Sequence, residues 1–134
     1  LLHAQGLCQI TLDAPEKALA LAGEGLKLAQ TTTSRKYIAL NDCLRGVAFV
    51  QLGSVGKAKS ALKKSIALAD EMNYQPLRWE GRYHLAQLEL SSTWMKEAAQ
   101  IIESITQNLR EPERSTFLQS MLIGKILLDK NASM

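Results

Sequence analysis

The sequence predicts an all-α fold, an α-solenoid of three helical hairpins followed by one C-terminal helix. Three observations predict it. The chain repeats itself at a spacing of forty: Gly6, Gly46 and Ala86 share one column, and twelve residues on Ala18, Ala58 and Ala98 share another. Within each unit apolar residues recur three and four apart, as in Ala58, Leu62, Ser65, Ile66 and Ala69. Only 8 Gly and 3 Pro occur in 134 residues, so one kind of regular structure can run nearly uninterrupted.

The repeats are expected at about 1–33, 34–75 and 76–110, with the terminal helix over 112–130. In the first unit Asp13-Ala14-Pro15-Glu16 reads as a helix start, with Asp13 as cap, Pro15 in the first turn and Glu16 completing a capping box. Ala18, Ala22, Leu26 and Ala29 then line one face. Thr31 to Ser34 reads as the loop to the second unit, whose hairpin turns at Gly53-Ser54. Asn73-Tyr74-Gln75-Pro76 leads into the third unit, which turns at Ser91-Ser92-Thr93 and continues with Ala98, Ile102, Ile105 and Leu109. Glu111-Pro112-Glu113 opens the last helix. Gly within a helix costs up to ~1 kcal/mol relative to Ala. Its return at Gly46, in the register of Gly6, therefore points to close approach between the two helices of a hairpin.

Composition bounds the rest. A chain of 14.8 kDa with 46% hydrophobic and 22% charged residues suits one globular domain and excludes a disordered or disulfide-stapled one. The formal net charge of +3 is too small to imply nucleic acid as a partner. Cys8 and Cys43 form no metal or redox spacing, which fits a reducing cytoplasm. No apolar run reaches the ~18 residues that a membrane span needs. The opening residues lack both Met and signal-peptide character, so the chain reads as a piece of a longer protein.

The columns resemble the tetratricopeptide repeat. That pattern places a small residue in the first helix, Gly at the turn, Ala early in the second helix, then a large apolar residue and another small one. Gly46, Gly53, Ala58, Leu62 and Ser65 match it in the second unit. Gly6, Ala18, Ala22 and Gly25 match in the first, and Ala86, Ala98 and Ile102 in the third. The forty-residue period resembles the longer-helix variety found in the sensor region of MalT-type bacterial regulators. The chain departs from the pattern where the family favours aromatic or large apolar residues in the first helix. Leu2, Asp42 and Arg82 stand at one such position, and Gln5 and Arg45 at another.

The resemblance implies a concave groove lined by the first helices, with His3, Leu7, Ile10, Leu40, Cys43, Val47, Val50, Tyr83 and Gln87 as partner-binding residues. That set is mostly apolar and lacks the cations of a carboxylate clamp. The expected occupant is an amphipathic helix or an extended hydrophobic peptide. Function is therefore expected to be non-enzymatic protein–protein interaction within a larger signalling or regulatory protein. The MalT-like resemblance keeps open a small-molecule or peptide sensor as an alternative.

The last helix carries eight apolar residues between Phe117 and Leu128, spread almost around its circumference. An end cap is expected to turn a polar face outward. Phe117, Met121, Ile123 and Leu127 are thus candidates for an oligomer interface, with a homodimer as the second reading of function. Candidate chemistry is thin. His3 and His84 are isolated, and the chain has no nucleophile elbow, phosphate loop or zinc spacing, so no enzyme activity, metal or cofactor is expected. Lys57, Lys59, Lys63 and Lys64 spread over more than one face and read as a solvated convex surface, with a weak docking patch for an acidic partner as the alternative. Trp79 and Trp94 read as core or edge packing in the third unit, with a pocket lined by Trp79 and Tyr83 as the alternative.

Overall fold

A computed structural model describes residues 5, 6, 9, 10, 13–90 and 92–119. The described residues form six helices: α1 (Pro15–Thr31), α2 (Arg35–Gln51), α3 (Val55–Met72), α4 (Gln75–Glu89), α5 (Ser92–Gln107) and α6 (Glu113–Gln119). Gln5, Gly6, Gln9 and Ile10 are helical as well, and no strand occurs among the described residues. Each helix packs on its sequence neighbours, and α2 also touches α4. The all-α expectation holds at this level.

The turns show a regularity that the sequence reading missed. Asp13, Thr33, Gly53 and Asn73 all have positive φ, between 52° and 78°, and stand twenty residues apart. Each donates its N–H to the carbonyl three residues back. The following residue donates to the carbonyl five back, as in Ser54 to Phe49 at 2.9 Å and Tyr74 to Ala69 at 2.8 Å. This is the Schellman closure, which satisfies carbonyls left open at a helix end. The same following residue, Ala14, Ser34, Ser54 or Tyr74, is the N-cap of the next helix, so a single pair of residues ends one helix and starts the next.

This geometry corrects the start of α1. Asp13 occupies the left-handed position, Ala14 is the N-cap, and no side-chain cap bond forms. The expected capping box is absent because Asp13 stands one residue too early. The third hairpin turn also differs. Leu90 takes the left-handed place (φ 50°), three residues ahead of the twenty-residue beat, and is 90% exposed. Ser92 and Thr93 therefore belong to α5, not to the turn. The boundary moves but the packing register does not: Ala18, Ala58 and Ala98 are all 0% exposed.

Two clusters form the described core. Ala39 and Cys43 of α2, Leu62, Ile66 and Ala69 of α3, and Leu77 and Leu85 of α4 make the first. Tyr83 and Ala86 of α4 with Met95, Ala98, Ala99 and Ile102 of α5 make the second. Trp94 borders both, and its indole N–H donates to Glu89 at 2.9 Å. Trp79 packs at the edge of the second. A Cβ at Gly46 would lie 2.6 Å from Leu62 Cγ, so α2 and α3 meet there as closely as expected. Gly6 makes room for the Leu44 side chain on α2 instead, so the two glycines of one column admit different helices.

Candidate interaction surfaces

The residues assigned to a groove divide by burial. Cys43 and Tyr83 are core residues, each below 9% exposed. They line no open surface, because Cys43 is closed over between α2, α3 and α4, and Tyr83 between α4 and α5. Burial, followed by the nearby Glu80 and Asp42 charges, pushes the Cys43 thiol far above its ordinary pKa and keeps it protonated. Ile10, Leu40 and Val47 are half-buried, with Leu40 packed against the first cluster. Val50 and Gln87 are exposed. Val50 on α2 and Gln87 on α4, two helices in contact, are the expected groove residues that are exposed, and Ile10, Leu40 and Val47 are accessible in part. His3 and Leu7 lie outside the described residues.

Of the four terminal-helix interface candidates, Phe117 is half-buried, packed against the α4/α5 cluster. Met121, Ile123 and Leu127 lie outside the described residues. The helix begins at Glu113, one residue after the expected start.

The first helices carry two buried charges where the repeat pattern favours apolar residues. Arg82 on α4 is 8% exposed. Its guanidinium donates to both Asp70 oxygens, at 3.0 and 2.8 Å, and to the Arg78 carbonyl at 2.9 Å. Its Nε stands 3.9 Å from Glu97 of α5. Arg78 adds a bond to Asp70 at 3.0 Å. Partial burial pushes the Asp70 carboxyl up, but the hydrogen bonds from Arg82 and Arg78 outweigh it and hold the group below its usual range. Asp70 therefore ties α3 to α4. Asp42 on α2 is 5% exposed, and its nearest cation is Arg45 at 3.5 Å. Burial raises its pKa, and Arg45 and Lys64 offset the rise only in part.

The lysines of α3 also separate. Lys63 reaches Glu89 at 3.5 Å. Lys57 and Lys64 turn toward α2, where they join Arg45, Phe49, Ser60 and Ala61 around a cleft of about 280 Å³. The Phe49 ring has Arg45 Cζ and Lys57 Nζ each 5.8 Å from its centroid. The sequence places these lysines on more than one face and reads them as a solvated convex surface. Their division follows from helical spacing: Lys57, Ser60, Ala61 and Lys64 fall three and four apart on one stripe. Arg45 and Phe49, four apart on α2, oppose them.

No protein-family model, curated protein or solved structure matches the chain.

Proposed function

We propose that this chain is a protein-interaction module without catalytic activity, built as a tetratricopeptide-like stack of hairpins that presents preformed helical faces to a partner. The observation that carries this reading is the repeat itself. The left-handed turn residue returns every twenty positions through Asp13, Thr33, Gly53 and Asn73, and the fully buried Ala18, Ala58 and Ala98 return every forty. Such a repeat extends a surface along the chain, and a partner laid across it meets side chains from successive units. Rigid helices keep the ordering cost of binding low. Exposed Val50, with half-buried Val47 one turn before it on α2, supplies an anchor for one face of a helical or extended peptide.

The test is a peptide array followed by titration of the best binders. Val50→Asp is expected to weaken apolar-peptide binding about tenfold, since a carboxylate in an apolar contact costs on the order of 1–2 kcal/mol. The melting temperature should hold, because Val50 is exposed. An array without binders, or binders indifferent to Val50→Asp and Gln87→Ala alike, overturns the reading.

A further inference from the structure

The cleft between α2 and α3 carries more positive charge than the described residues supply carboxylates for. Arg45, Lys57 and Lys64 line it, and within 4 Å of these three cations the one carboxylate among the described residues is Asp42, on Arg45. The excess sits beside an apolar floor that is only narrowly open, with Phe49 9% and Ala61 4% exposed. Phe49 is packed beneath Arg45 and Lys57, and Ala61 is buried next to it. Ser60 adds an exposed hydroxyl at the rim. Lys57 and Lys64 are two helical turns apart, about 10 Å along α3.

We propose that this cleft binds a glutamate-bearing segment of a protein partner, with carboxylates near Arg45, Lys57 and Lys64 and side-chain methylenes on Phe49 and Ala61. Charge complementarity selects an anion, and the apolar floor selects one with an aliphatic stem. A free phosphate has nothing to lay on Phe49 and Ala61. The two lysines are rooted about 10 Å apart along α3, the same backbone spacing as two glutamates seven residues apart on one face of a helix. The proposal rests on the interaction-module reading only in taking the ligand to belong to a protein, and it uses a different surface from Val50 and Gln87.

The probe is a fluorescently labelled, alanine-based helical peptide with two glutamates seven residues apart, titrated with the whole chain at low salt. Its counterpart has glutamine at both places. The glutamate peptide is expected to bind about tenfold more tightly, and added salt to weaken it. Lys57→Glu with Lys64→Glu should abolish the preference, and Lys57→Met with Lys64→Met, which keeps the stems, should reduce it about tenfold. Lys17→Glu with Lys27→Glu on α1 makes the same change in net charge away from the cleft and should leave binding within about twofold. Equal loss in that control pair, or equal binding of the two peptides, overturns the proposal. So does inorganic phosphate that shifts the Arg45 and Ser60 resonances while the glutamate peptide leaves them unmoved, which assigns the cleft to a phosphate ligand. Val50→Asp should leave glutamate-peptide binding unchanged, so the two readings fail separately.

Discussion

Asp42 and Arg82 stand forty residues apart, at the same place in successive repeats, and both are almost wholly buried. Their surroundings differ in kind. Arg82 is matched by groups from other helices: Asp70 on α3 in a two-pronged bond and Glu97 on α5 at longer range. Asp42 is matched by Arg45, one turn along its own helix, at 3.5 Å. Side-chain reach is the cause. A guanidinium on a three-carbon stem crosses to the neighbouring helix and finds a carboxylate that keeps part of its hydration, with Asp70 38% exposed. A carboxyl on a single methylene stays where its backbone puts it. One repeat position therefore fastens α3 to α4 in the third unit and holds a poorly compensated charge in the second.

The largest test removes the fastening. Arg82→Met keeps much of the buried stem and deletes the charge. It should lower stability by about 2–3 kcal/mol in urea denaturation, toward the lower end of what breaking a buried pair costs, because Asp70 is partly solvated. A loss under about 0.5 kcal/mol would show that Arg82 is no better placed than Asp42, and the contrast would collapse.

The next test sets this divergent column against a uniform one. Ala18, Ala58 and Ala98 hold one residue type in one environment. Ala58→Leu forces three extra carbons against α2 near Gly46 and Leu62, and should cost ~1–3 kcal/mol by overpacking. Unchanged thermal denaturation would mean that the register shared by the three alanines is not a packing constraint.

A smaller effect of opposite sign is expected at Asp42. Asp42→Asn preserves shape and removes the charge that burial disfavours, so stability at pH 7 should rise by up to about 1 kcal/mol. A loss of similar size would show that Arg45 and Lys64 more than repay the burial of the carboxylate.

How far the sequence foretold this follows from which signals are local. Helix positions were readable because apolar spacing of three and four survives any tertiary arrangement, and the buried faces of α1, α3 and α5 fell where Ala22, Leu62 and Ile102 placed them. The turns were half readable. Gly53 and Asn73 advertise a left-handed residue, whereas Thr33 and Leu90 adopt that geometry against their own preference. The groove was least readable. Whether Cys43 or Tyr83 faces a partner or the next helix depends on helix rotation, and a half-turn exchanges core for surface without altering the spacing. The cleft was hidden for a related reason. It joins two stripes, Arg45 with Phe49 and Lys57 with Lys64, whose opposition exists only once α2 and α3 are packed.

The smallest effect separates Asp42 from Asp70 by pH. Asp42 has a raised pKa in the folded chain, so its contribution favours folding below the ordinary carboxylate value, about 3.9, and is lost as pH rises through the raised value. Asp70 has a lowered pKa, so its contribution is present above about 3.9 and is lost as pH falls through the lowered value. The two windows meet near pH 4 without overlapping. Stability of Asp42→Asn relative to the unsubstituted chain should therefore shrink from its gain at pH 7 toward zero as pH approaches about 4. The deficit of Asp70→Asn should persist to about 4 and diminish only below it. Taking differences cancels the other carboxylates. Urea titrations at several pH values between about 3 and 7 measure both curves. An Asp42→Asn gain that stays constant or grows on acidification would mean that the folded chain welcomes the Asp42 charge, and the distinction between the two repeat positions would then be one of geometry without an electrostatic consequence.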